Sequence, residues 1–195
     1  ARQAKKAATK GQTNAAERSF TEAYLADPES VTPLLRLGAV LATQTGATNR
    51  LACRAAAGTA PEADLARLLL AATLQALGDR PAAAAELRRA YTARMQAGLF
   101  PDEGFYLWLG SLYESDRRLT DAERLFTEAL AVHPDSHEMK NFLAYMWAEQ
   151  GVRLDRAAEL VNAALLALPD NAAYLDTKGW IRYRQGRLYE ASQLL

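Results

Sequence analysis

The chain has 195 residues, half of them apolar and 24% charged, and its 23 Lys+Arg are balanced by 23 Asp+Glu to a net charge of zero. That length suits one domain or one short repeat array. The charge balance argues against a nucleic-acid partner, which draws a basic excess, and no apolar run approaches the roughly 18 residues that suggest a membrane span. The single cysteine, Cys53, rules out an internal disulfide; in an alanine-rich helical pattern it is expected to be a small buried residue. No signal peptide is visible. The chain opens on Ala1 rather than Met, inside a helical pattern, so a leader, an anchor or further helices upstream stay open.

Taken in order, the sequence reads as short helix pairs separated by polar turns. Residues 1–30 form most of one pair: a partial first helix Ala1–Lys10, a turn at Gly11, then Ala16, Phe20, Ala23 and Pro28 at helical offsets. Residues 31–63 form a degenerate pair. Ser30 is expected to cap its first helix, with Pro33 in the first turn, and Leu34, Leu37, Gly38 and Leu41 form the stripe. A polar turn over Gln44–Asn49 leads to a short second helix, Leu51–Ala57, with Cys53 or Arg54 where a bulky aromatic is wanted. Residues 64–102 form a third pair, opened by a capping box at Thr59–Glu62, with Leu70, Ala71 and Leu74 ahead of the Gly78–Asp79 turn. Pro81 opens its second helix, where Ala83, Leu87 and Ala90 face inward; the pattern overruns to Gly98, expected as a longer helix with an ordinary loop, the alternative being a ledge that shapes the neighbouring groove.

Residues 103–136 carry the clearest pattern. Tyr106, Leu109, Gly110 and Tyr113 share one helix face; Ala122, Phe126 and Ala129 share the next, which stops at Pro134. Residues 137–171 follow at a spacing of 34, with Asp135 and Glu138 expected to cap the helix, Leu143, Ala144 and Trp147 on it, and Ala157, Val161, Ala164 and Pro169 on its partner. One extra residue falls in the turn at Gly151–Leu154. Residues 172–195 begin the pattern again with Leu175, Gly179, Gly186, Ala191 and Leu195. Both ends are expected to lie inside repeats.

Residues 103–136 resemble a tetratricopeptide repeat (TPR), a 34-residue helix-turn-helix with an aromatic, Leu, Gly and Tyr on its first helix and Ala, Phe, Ala and Pro on its second; Tyr106 stands where Trp is commonest. The resemblance implies an all-α fold, a right-handed superhelical α-solenoid of stacked antiparallel helix pairs, whose first helices line a concave groove. The stretches Asn141–Gly151 and Tyr174–Gly186 are similar to bacterial TPR proteins, including those of the cell envelope, in which the array often recruits a protease or assembly factor. Periplasm and cytoplasm both remain open.

Carrying the family's groove offsets onto this chain gives Leu107, Ser111 and Glu114; then Asn141, Tyr145 and Glu149; then Asp176, Trp180, Tyr183 and Arg184. Trp, Tyr and Arg are the types enriched at binding hot spots, and Asn141 offers donors and an acceptor for an extended backbone; the alternative for Trp180 is packing against the preceding or a following repeat. The earlier groove positions, Thr32, Leu35, Ala39, Leu68, Ala72 and Gln75, are mostly small or apolar, which suits either an apolar helix laid there or a superhelix that closes upon itself. The Lys-x-x-x-Asn clamp of the TPR subclass that binds C-terminal carboxylates is missing, since Lys140 and Asn141 are adjacent.

His133 and His137 are four apart but Pro134 separates them, and no third ligand follows. No phosphate loop, nucleophile elbow or HExxH occurs, and Asp and Glu read as solvated charges on exposed faces. No cofactor is implied. The expected function is a non-catalytic scaffold that binds a partner's peptide or helix in its groove. The alternatives are the TPR region of a larger enzyme or protease adaptor, and an array that self-associates through uncapped ends.

Overall fold

A computed structural model describes residues 15–27, 30–58 and 60–194. All regular secondary structure among them is helical. The helices are α1 (15–26), α2 (Thr32–Ala42), α3 (Ala47–Ala57), α4 (Ala60–Ala76), α5 (Arg80–Gln96), α6 (Glu103–Ser115), α7 (Leu119–Val132), α8 (His137–Gln150), α9 (Leu154–Ala167), α10 (Ala172–Arg184) and α11 (Leu188–Ser192). The chain divides into two compact units, 1–116 and 117–195. The readings at Ala1–Lys10, Gly11, Pro28, Thr59 and Leu195 lie outside the described residues.

In the first unit α2 packs mainly on α4, which also contacts α3 and α5. Leu34, Leu37, Gly38 and Leu41 are all buried, as their spacing demands. Gly38 permits the closest approach: a Cβ there would stand 2.5 Å from the Ala72 carbonyl carbon, inside any real contact. The same packing overturns an expectation. Leu68 and Ala72 are buried, not groove-facing, because α4 is covered by its neighbours.

Four local readings are corrected. Val31, not Ser30, is the N-cap of α2, and no side chain bonds the free N–H groups there; Ser30 lies one residue too early. The turn before α3 ends at Gly46, whose φ of +74° suits a residue without Cβ, so Ala47–Asn49 are helical and α3 is longer than expected. Cys53 is exposed, because Ala47, Leu51 and Ala55 form the buried stripe of α3 and position 53 points away from it. Ser136, not Asp135, caps α8, its hydroxyl accepting from the Met139 N–H at 3.1 Å.

Asp79 caps α5 by accepting from Ala82 N–H at 3.1 Å, with Pro81 in the first turn, where its missing donor costs nothing. Ala83, Leu87 and Ala90 are fully buried. The helix runs to Gln96, and Gly98 at φ +71° turns the chain. Phe105, Tyr106, Leu109 and Tyr113 of α6 are buried, and Tyr91 of α5 stacks on Phe105.

In the second unit Ala122, Phe126, Ala129, Leu143, Ala144, Trp147, Ala157, Val161 and Ala164 are buried, and Phe126 stacks on Phe142 with ring centroids 5.5 Å apart. α8 ends at Gly151, φ +69°, with Val152 N–H returning to the Trp147 carbonyl at 3.0 Å. Asn171 caps α10 through the Ala173 and Tyr174 N–H groups. α10 packs on both α8 and α9, which puts successive first helices side by side, the arrangement that forms a TPR groove.

Candidate partner-binding faces

Seven of the nominated residues sit on the adjacent helices α8 and α10. Asn141 and Tyr145 are half-buried; Glu149 and Asp176 are exposed. The Asn141 Oδ1 is buried and accepts no hydrogen bond, and the Trp180 Nε1 is buried and donates none. A buried polar atom in that state costs about 1–3 kcal/mol. Trp180 is half-buried and stacks on Tyr183, centroids 5.2 Å apart and planes within 15°, with Tyr183 left 49% exposed. The two residues are one helical turn apart, so stacking follows from their spacing.

Arg184 has a different setting from the others. Its Nη1 donates to the Glu149 carbonyl at 2.8 Å, and its guanidinium lies over the Trp180 ring, 5.7 Å from the centroid. A cation at the last turn of α8 satisfies a terminal carbonyl and suits the negative end of the helix dipole. A Cβ on Gly151 would collide with the Arg184 Nη2, so the glycine makes room for this tie as well as for its positive φ. On the other flank, His137 Nδ1 and the Tyr174 hydroxyl are hydrogen-bonded at 2.7 Å.

Leu107, Ser111 and Glu114 lie on α6 of the first unit and are half-buried. Ser111 donates to the Trp108 carbonyl at 2.8 Å. Trp108 is buried, and its Nε1 donates to Gln75 Oε1 at 2.6 Å, so Gln75 supports the packing of α4 with α6.

The first unit also holds a feature that no spacing argument found. The overrun of α5 and the loop after it bound a cavity of about 590 Å³, with Tyr24 and Leu25 from α1 and Asp64, Leu65 and Leu68 from α4 on its other walls. Asp64 Oδ2 accepts from Arg94 Nε at 3.0 Å and Nη2 at 2.7 Å; Arg94 also reaches the Tyr24 hydroxyl at 3.5 Å and lies 5.0 Å over Phe105. Burial works against the Arg94 cation, but hydrogen bonds to Asp64 and Tyr24 outweigh it and raise its pKa above the ordinary arginine value. Burial raises the Tyr24 phenol, opposed by Arg94 and reinforced by the charges of Asp102 and Asp64. Asp64 thus departs from the expectation that acidic residues sit on open faces. The signal available in the sequence was the overlong α5 followed by Leu99 and Phe100.

Among the described residues no three His, Cys, Asp or Glu side chains are grouped to hold a metal, and no helix is long and apolar enough to cross a membrane.

The tetratricopeptide repeat family model matches residues 107–174. A TPR repeat-containing protein of Pseudomonas aeruginosa is 35% identical over 104 residues, which are 52% of this chain and 18% of that protein. Among solved structures, YrrB, described as a TPR protein with an unusual peptide-binding site, aligns with a TM-score of 0.59 at 16% identity, over 90% of this chain and 88% of its own. MamA aligns with a TM-score of 0.54 at 18% identity, over 97% and 88%. At these identities the structural likeness speaks for the fold. Family match, bacterial relative and fold agree with the signature residues of 103–136: residues 107–174 carry tetratricopeptide repeat sequence, and the chain has the fold of the TPR solenoids.

Proposed function

We propose that the α8–α10 face of the second unit holds a peptide or helical segment of a partner protein, and that the chain is a binding scaffold and not a catalyst. The observation that carries this reading is that the two packed helices each leave a buried polar atom unsatisfied, the acceptor Asn141 Oδ1 on α8 and the donor Trp180 Nε1 on α10, while Tyr183, stacked on Trp180, is 49% exposed. An extended backbone offers N–H and C=O groups that satisfy one of each, and the aromatic stack offers a surface for an apolar side chain. Tyr145, Glu149 and Asp176 flank the same face, and Arg184 holds its edge in place. Leu107 and Glu114 offer comparable groups on α6. The peptide-binding site of YrrB supports the reading by analogy of fold.

The test is affinity capture from a bacterial lysate, followed by calorimetric titration of a synthetic peptide from the captured protein. Tyr183→Ala and Asn141→Ala, each confirmed helical by circular dichroism, are expected to weaken that peptide about tenfold. Unchanged affinity in both variants places recognition elsewhere and ends this reading. The 104 residues shared with the Pseudomonas protein are 18% of its length, which favours a second reading at the level of the whole molecule: this array as the recruiting part of a longer adaptor or enzyme.

A further inference from the structure

The cavity beside the α5 overrun is lined by residues of the first unit and shares none with the proposed groove on α8 and α10. Its rim is apolar and open to water: Leu25 is 64% exposed and Leu99 and Phe100 are 61% exposed each. Three large apolar side chains around one mouth are more than the scattered exposed leucine that needs no explanation. The volume falls within the range of about 300–1,000 Å³ of ligand pockets. A small molecule enclosed in the cavity leaves the rim in water, whereas a chain laid across the mouth covers it.

The floor specifies the polar part of that chain. Both Arg94 nitrogens that reach Asp64 use the same oxygen, Oδ2, while Asp64 Oδ1 is buried and accepts no hydrogen bond. The group that Asp64, a residue of the lining, still lacks is therefore an N–H donor. Asp102 adds a second carboxylate to the lining, and both carboxylates are close enough to raise the Tyr24 pKa. An acidic segment would meet these two carboxylates with Arg94 already held by Asp64, leaving Arg67 among the described lining residues to receive it. A basic segment meets the unsatisfied acceptor instead.

We propose that this pocket is a second binding site, separate from the α8–α10 face, and that it takes a partner peptide in which a large apolar side chain adjoins a lysine or arginine. The apolar side chain enters between α4 and α5 over Leu65 and Ala93, and the cation donates toward Asp64 Oδ1. Leu99 and Phe100 close over the peptide from the loop. The overlong α5 is what builds the far wall, since Ala93, Arg94 and Ala97 all belong to its last turns and C-cap.

The proposal is tested on the full chain by titrating isotope-labelled protein with two blocked tetrapeptides, Gly-Phe-Arg-Gly and Gly-Phe-Glu-Gly, and following amide chemical shifts. The expected result is movement of amides in 64–68 and 93–100 with the arginine peptide, and affinity about fivefold weaker for the glutamate peptide. The double variant Leu99→Ser, Phe100→Ser removes only exposed side chains and is expected to weaken the arginine peptide by a similar factor. Asp64→Asn is expected to abolish the preference for arginine over glutamate. Equal binding of the two peptides by the wild type, or no movement at millimolar peptide, overturns the proposal. Two other occupants would overturn it as well: contacts from residues 1–14 to the pocket amides with both peptides inert, or shifts at these amides that grow with protein concentration alone, the mark of a second copy of the chain.

Discussion

The stack α2–α4 and the stack α8–α10 solve the same packing problem with different side chains. On α2 and α4 the buried residues are mostly leucine and alanine, with Thr73 the polar exception, and Gly38 brings one helix against the backbone of the other. Along α8–α10 the bulk comes from Phe142, Trp147, Tyr174 and Trp180, whose helices are fastened at their ends by Ser136, Asn171 and Arg184. Small residues let backbones approach and leave little to recognise from outside. Aromatic residues fill the space between helices with rings and leave some of those rings at the surface. The second stack thus leaves aromatic surface on its own first helices, at Tyr183 above all, while the first unit places exposed apolar surface at the end of α5.

The largest expected effect tests the close approach itself. Gly38→Val should destabilise the protein by about 3 kcal/mol in urea unfolding, because its Cβ has no room at Ala72. Tyr183→Ala, in the other stack, should change stability by no more than about 0.5 kcal/mol, since half of its side chain is in water. Similar values for the two would erase the contrast drawn between the stacks.

Next comes the Arg94–Asp64 pair. Arg94→Ala leaves a carboxylate partly buried without its cation; with side chains 14% and 22% exposed, the loss should be about 2 kcal/mol, below that of a fully buried pair. Asp64→Asn, which keeps an acceptor for Arg94, should cost less by the same measurement.

The helix ends give a smaller and sharper contrast. Ser136→Ala removes a side-chain cap and should cost about 1 kcal/mol. Ser30→Ala should be near neutral by chemical denaturation, because Val31 occupies the N-cap position of α2. A loss of equal size at both would restore Ser30 as a cap.

The smallest effect is a change of slope with pH. The Tyr24 phenol is raised above 10.0 by burial, so its neutral form is favoured by folding. That contribution is fully present below the unfolded phenol pKa and is lost as pH rises through the higher folded value. Tyr24→Phe should therefore flatten the alkaline limb of stability against pH above about 10, and leave the neutral region nearly level.

The parts of this fold that could be read in advance are those in which one residue type has one use. Tyr106, Leu109, Gly110 and Tyr113 announce a helix face because no other period accommodates them, and Phe126 between two alanines marks its partner. Alanine-rich α3 announces nothing of the kind: with Ala, Thr, Asn and Cys in nearly every register, the start at Ala47 and the outward Cys53 were decided by the Gly46 turn and by Leu51. Both missed caps were off by one residue: α2 starts after Val31 and not Ser30, and α8 after Ser136 and not Asp135. Leu68 and Ala72 looked like groove positions by offset, but an offset does not record how close Gly38 allows α2 to come. The cavity was out of reach because Tyr24, Asp64 and Arg94 are far apart in the chain, and their meeting belongs to tertiary packing.

The outward placement of Cys53 has a practical consequence. A chain with one thiol, exposed on α3 and apart from the buried stripe of that helix, offers a single point of chemical attachment. A fluorophore or spin label coupled there by maleimide chemistry would report on the alanine-rich region without entering its core. Under oxidising conditions the same sulfur is the chain's one route to a covalently joined pair of molecules, so mass measurements made with and without reductant will separate a disulfide artefact from association of the array.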